Sequence, residues 1–189
     1  MSDKPNPLKS LSQQMEGQPK PSGLPPVDKW NPPFSGDMDL VIKRDGTWLH
    51  EGTPFQRKEL VRLFSTILKR EGDEYFLVTP VEKFRIQVED VPLHVVTVQE
   101  TEYKGKPAYL FETMTGDQVM ADAEHPIRVE IDPHTEEPSP YILVRSNLEA
   151  LINRNVFYQL VDAAKVEDAG GGSRLYVESA GQRFELGSC

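Results

Sequence analysis

Five consecutive residues, Thr79, Pro80, Val81, Glu82 and Lys83, place a hydroxyl, a carboxylate and an ammonium on one short corner stiffened by proline. Groups held together by the backbone in this way can bind a polar ligand through hydrogen bonds and charge. The same residues also suit a plain turn, with Thr79 capping the backbone and Glu82 and Lys83 solvated. Trp48 offers a flat surface on which a base can stack, and Arg57 offers a guanidinium for an anion. His125, just before Pro126, presents a ring at a second corner. Each has an ordinary alternative: Trp48 in a core, Arg57 on an exposed helix face, His125 bonded to backbone.

No established catalytic arrangement is legible. The four histidines, His50, His94, His125 and His134, are dispersed, and no HExxH or similar close spacing occurs. An enzyme would need several of Glu82, His125, Asp132 and His134 to converge in one cleft. The chain has no Walker A sequence, no GxGxxG and no GxSxG. Gly170 to Gly172 follows an expected helix and so lacks the helix N-terminus that makes a phosphate cradle. The one cysteine, Cys189, ends the chain, which excludes an intrachain disulfide and a cysteine-based metal site. The expectation is therefore no catalytic residue, no metal and no cofactor.

The elements that must position these residues follow from periodicity. Asp39 to Lys43 and Thr47 to His50 read as a hairpin turned at Arg44 to Gly46. Thr53 with Gln56 matches a capping box, Pro54 suits the first helical position, and Leu60, Leu63, Phe64, Ile67 and Leu68 supply an apolar face, so the spacing predicts a helix stopped near Gly72. Tyr75 to Thr79 and Phe84 to Val88 are strands on either side of the proline corner. From Leu93 to Ile131 the alternation predicts a continuous antiparallel meander. Tyr141 to Val144 is a further strand. Ser146 with Glu149 makes a second capping box ahead of Leu148, Leu151, Ile152, Val156, Leu160 and Val161, and Leu175 to Val177 with Phe184 to Leu186 forms a closing hairpin.

The two helices superimpose at an offset of 93, Thr53 on Ser146 and Phe64 on Phe157, and the two hairpins at an offset of 100, Thr79 on Ser179 and Phe84 on Phe184. This predicts an internal duplication. The fold class is α+β, built as two related repeats of a helix plus an antiparallel sheet. Residues 1–28 are rich in Pro, Ser, Gln and Lys and read as a disordered tail in which Pro19, Pro21, Pro25 and Pro26 could present a polyproline segment. Residues 29–92 form the first repeat, and residues 93–189 the meander plus the second repeat.

Charge and composition bound the setting. Net charge is −9. Residues 41–106 carry 11 basic against 11 acidic side chains, whereas residues 107–189 carry 6 against 14. An acidic C-terminal half argues against a nucleic-acid partner, because phosphate binding needs clustered basic groups. No apolar run approaches the ~20 residues that span a bilayer, so no membrane insertion is expected, and a reducing cytoplasm fits the cysteine usage.

Three long blocks, WNPPFSGDMDLVIKRDGTWLHEGTPFQRKELVRLFSTILKREG, DEYFLVTPVEKFRIQVEDVPL and FETMTGDQVMADAEHPIRV, resemble the bacterial family of uncharacterised domains known as domain of unknown function 1285. The resemblance covers Trp30 to Gly187. It implies an α+β fold with internal duplication, a C-terminal half superficially like a pleckstrin-homology domain, and a signalling or ligand-binding role with a nucleotide-like ligand between the halves. The leading expectation is thus a cytoplasmic binding or regulatory protein with a small polar or nucleotide-like ligand at Trp48, Arg57, Thr79, Glu82, Lys83 and His125. The alternatives are a scaffold that binds a protein partner and a metal-dependent enzyme.

Overall fold

The computed structural model describes residues 6–16 and 23–188, and the chain divides into two compact units, Met1–Asp90 and Val91–Cys189. Pro19, Pro21 and Cys189 lie outside the described residues. Among the described residues no helix is long and apolar enough to cross a membrane.

The first unit begins with helix α1 (Pro7–Glu16), followed by a 3₁₀ turn at Val27–Lys29. Strands β1 (Phe34–Ile42), β2 (Trp48–His50) and β3 (Thr53–Pro54) form an antiparallel meander. Helix α2 (Lys58–Ser65) then leads to a second meander, β4 (Leu68–Glu71), β5 (Glu74–Val78) and β6 (Lys83–Val88). The two meanders join along β1 and β6, which run parallel, Phe34 opposite Lys83 and Ile42 opposite Val88. The result is one six-stranded sheet in the order β3-β2-β1-β6-β5-β4. Parallel neighbours need a long crossover, and here β2, β3, α2, β4 and β5 supply it. Leu40, Ile42, Trp48, Phe64, Ile67, Leu68, Leu77 and Ile86 form the core.

The second unit contains β7 (Leu93–Tyr103), β8 (Lys106–Thr113), β9 (Gln118–Met120), β10 (Ile127–Ile131), β11 (Pro138–Arg145) and β12 (Leu148–Ile152) in a sheet ordered β10-β11-β12-β7-β8-β9. Helix α3 (Arg154–Ala163) leads to a separate three-stranded sheet of β13 (Lys165–Asp168), β14 (Ser173–Ser179) and β15 (Gln182–Ser188). The fold is α+β with an internal duplication. In both units a helix is followed by three antiparallel strands. The last hairpin repeats at an offset of 100 with the same pairing, Leu77 opposite Phe84 and Val177 opposite Phe184.

Several local expectations need correction. The segment from Thr53 is not a helix start: Glu51 and Gly52, at φ 50° and 79°, make a tight hairpin turn, and Thr53 and Pro54 pair with β2. The helix begins five residues later, at Lys58, and ends at Ser65, so Ile67 lies in the turn that follows and Leu68 opens the next strand rather than extend the helix. Likewise Ser146, at φ 49°, turns β11 into β12; Leu148, Leu151 and Ile152 are strand residues, and the true cap is Asn153, whose side chain accepts a hydrogen bond from Val156 N at 2.8 Å. The caps therefore correspond at an offset of 96, Arg57 to Asn153. The sheets are mixed rather than antiparallel, since β7 and β12 also pair in parallel. Nor is the stretch 93–131 one meander, because Asp122 to Pro126 carries the chain to the opposite sheet edge, where β10 pairs with β11. Proline at that corner has no N–H to give a ladder.

The N-terminal segment departs most from expectation. Within the supposed disordered tail, Pro7–Glu16 is helical with Leu8 and Leu11 buried. Asn6 caps it, its Oδ1 accepting from Leu8 N at 3.1 Å, and Pro7 occupies the first helical position, where a missing N–H costs nothing.

Candidate functional site

The corner between β5 and β6 is rigid for reasons visible in its own atoms. Thr79 is buried, and its Oγ1 accepts hydrogen bonds from Val81 N at 3.3 Å and Glu82 N at 3.0 Å, while its own N donates to Glu82 O at 2.9 Å. The hydroxyl is thus spent on the turn. Lys83 is also occupied: its Nζ lies 2.8 Å from Glu71 Oε2 and 4.6 Å from the centre of the Phe76 ring. That ammonium is the main reason the Glu71 carboxyl sits below its ordinary value. Beside it, Arg85 bridges Asp37 and Glu74 and lies over Phe34.

Glu82 has a different kind of partner. Its Oε2 accepts from Gln14 Nε2 at 2.8 Å and from Ser10 Oγ at 3.4 Å, both on α1, and Gln14 also donates to Ser10 at 3.2 Å. The carboxylate therefore holds a helix that reaches it from about 70 residues earlier in the chain. A ten-residue helix falls short of the ~12–15 residues at which isolated helices become even marginally stable, so α1 keeps its shape through docking. Each buried leucine contributes roughly 1.5–3 kcal/mol to that docking. Two apolar side chains near this corner are exposed: Val81, on the same turn, at 64%, and Phe34, opposite Lys83 in the sheet, at 52%.

The other expected ligand residues fall elsewhere. Trp48 is only 3% exposed, with Phe55 edge-on at 6.3 Å, so no base can stack on it without opening the core. It pairs with Ile42 at the far end of β1 from Phe34, which puts it roughly 25 Å along the sheet from the Thr79 corner. Arg57 is exposed and caps α2 through its backbone, without a side-chain cap hydrogen bond. His125 belongs to the second unit, where its Nδ1 lies 2.8 Å from Asp122 Oδ1. That oxygen also takes the backbone N–H groups of Glu124 and His125, so the pair serves the corner. Burial raises the Asp122 carboxyl, but the His125 contact and these amides outweigh it and leave it below its ordinary value. Only Thr79, Glu82 and Lys83 of the six expected residues are brought together.

Two features went unread in the sequence. Ser10 and Gln14 of α1 bond the corner through Glu82 while Leu8 and Leu11 of the same helix are buried, and Asn6-Pro7 with leucines three apart is the signal for it. In the second unit, Asp117 Oδ2 accepts from Thr113 Oγ1 and Thr115 Oγ1, each at 3.0 Å, and its Oδ1 lies 3.5 Å from Arg145 Nε. This cluster ties the β8–β9 turn to the end of β11. Burial holds the Arg145 guanidinium below its ordinary value, against the pull of Asp117. Among the described residues no three His, Cys, Asp or Glu side chains are grouped so as to hold a metal ion.

Comparison with known proteins agrees along the chain. The family model described as domain of unknown function (DUF1285), N-terminal domain, matches residues 25–91, and that of protein of unknown function (DUF1285), C-terminal domain, matches residues 92–186. A crystal structure of a DUF1285 family protein from Silicibacter pomeroyi DSS-3 is 46% identical, with 94% of each chain covered and a TM-score of 0.83. Another, from Shewanella baltica OS155, is 28% identical over 66% of this chain and 91% of its own, with a TM-score of 0.52. No curated protein matches.

Proposed function

The chain belongs to the DUF1285 family, and we propose that it is a regulatory binding protein that works by recognising a protein partner, with the Thr79–Lys83 corner of its first unit as the recognition surface. One observation carries this reading: the corner already binds a polypeptide element, α1, through Glu82. A small polar or nucleotide-like ligand has weaker support, because Trp48 is in the core and Lys83 is neutralised by Glu71. Exposed Val81 and Phe34 beside the Glu82 contact give the mixture of apolar surface and one oriented charge that suits a protein interface. The expected cytoplasmic setting and signalling role belong with the same proposal.

The test is site-specific crosslinking. A photoreactive amino acid at Val81 should capture a discrete partner in the cell of origin, while the same group at the exposed Val166 of the second unit should not. Equal capture at both positions, or a saturable rise in melting temperature with a nucleotide or phosphorylated metabolite, would sink the reading in favour of non-specific contact or a small ligand.

A further inference from the structure

The three-stranded sheet of the second unit ends on an open strand. β13 pairs with β14 alone, and all four of its residues, Lys165 to Asp168, are exposed, Val166 at 60%. Among the described residues the other sheet ends are shorter or covered. β3 and β9 span only two and three residues, β10 and β15 lie against each other, and Lys69 of β4 donates to Trp30 O at 2.8 Å.

The phase of the ladder decides what the open edge presents. Ala169 N donates to Gly172 O at 2.8 Å, so Asp168 and Ser173 face each other as a non-hydrogen-bonded pair, and so do Val166 and Leu175 two residues back. Lys165 and Glu167 therefore bond to β14, while the N–H and C=O of Val166 and Asp168 point away from it.

We propose that β13 is a self-association edge, pairing antiparallel with β13 of a second copy of this chain about a two-fold axis at Val166. The outward backbone groups allow only registers centred on a residue, and charge chooses among these. Centring on Lys165, Glu167 or Asp168 sets that charge against its own copy, which destabilises the pair. Centring on Val166 sets Val166 against Val166 and Lys165 against Glu167 at both ends, so the one complementary register also covers the exposed valine. Edge strands are commonly guarded by charge, and here the guard fails at that register alone. Both charged side chains are already held toward their own sheet, Lys165 Nζ at 3.0 Å from Glu178 Oε2 and Glu167 by Arg183, so rows of alternating charge continue across the axis. This interface lies in the second unit and goes beyond the recognition reading of the first.

Sedimentation of the full chain should show a monomer–dimer equilibrium. Lys165→Glu and Glu167→Lys each place like charges opposite at both ends, so each variant alone should dimerise roughly tenfold more weakly or worse. Mixed together they should form a heterodimer about as tight as wild type, because every opposing pair is then unlike. Val166→Glu, which leaves both internal ion pairs in place, should abolish the dimer while circular dichroism stays native. A wild type that remains monomeric at its highest soluble concentration overturns the proposal. So does a dimer indifferent to these substitutions, or a mixture no tighter than its parts. Should a charge-reversed variant fail to fold, Val166→Glu decides alone. A photoreactive group at Val166 should join this chain to itself and to no other protein, so the mass of the product separates this inference from capture of a different protein at Val81. Loss of the dimer leaves the reading at Val81 standing.

Discussion

Hairpins of the same register occur twice in this chain, and their turns are finished in two ways. Thr79 and Ser179 are both buried, and each sits at the end of a strand paired Leu77 to Phe84 or Val177 to Phe184. Thr79 turns its hydroxyl inward on its own corner. Ser179 instead donates to Ala121 O at 2.7 Å and accepts from Tyr109 N at 2.9 Å, while Ala180 N donates to Pro107 O at 3.0 Å. One turn is therefore locked to the main sheet of its unit. The other is closed on itself and leaves Glu82 to hold a short helix. What differs is where the hydrogen bonds go: to the main sheet in the second unit, to the turn itself and to a short helix in the first.

Four changes would break or sharpen this contrast. The largest effect belongs to Ser179→Ala, which strands a buried carbonyl at Ala121 and a half-buried amide at Tyr109; a loss of ~2–3 kcal/mol in urea unfolding is expected. Thr79→Val removes bonds that stay within one turn, and a loss nearer ~1 kcal/mol is expected by the same measurement. Equal losses would mean that the two turns are not differently anchored. Ala180→Asn should raise the melting temperature, because Ala180 adopts φ 50°, which asparagine tolerates better, and Asn-Gly is the favoured pair for such a turn; the gain is about 0.5–1 kcal/mol.

The smallest effect is a pH dependence at the corner of the second unit. The folded Asp122 carboxyl lies below its ordinary value of 3.8, so it binds a proton less readily folded than unfolded. Its contribution is fully present above that ordinary value and is lost as pH falls through the folded value. The side chain is 34% exposed, so screening limits the contribution to less than ~0.5 kcal/mol. Acid titration of wild type against Asp122→Asn should show the two curves converging as pH falls further below 3.8, and a difference that does not shrink would assign the effect to packing.

Strand positions were legible because alternation is a local signal: Met38, Leu40 and Ile42 are buried in turn along β1, as are Phe84 and Ile86 along β6. Helix starts were misread because Thr53 to Gln56 and Ser146 to Glu149 satisfy a four-residue cap pattern that a hairpin can also contain. The choice fell to residues just outside it, Glu51 and Gly52 in one case and Asn153 in the other. Chemical type marks the six candidate ligand residues but carries no information on burial, so Trp48 lies in the core, and α1, built from Leu, Ser and Gln, has no chemical mark in the sequence.

By itself the sequence determined the α+β class, the duplication and the family, since periodicity, an offset repeat and long matching blocks all survive without contacts. Only the tertiary structure decided that Glu82 faces a helix from the N-terminus, that β1 and β6 run parallel, and that Ser179 is tied to β8. These pairings join residues 46 to 72 positions apart, and chain order carries no local trace of which distant group will satisfy a buried or oriented polar atom.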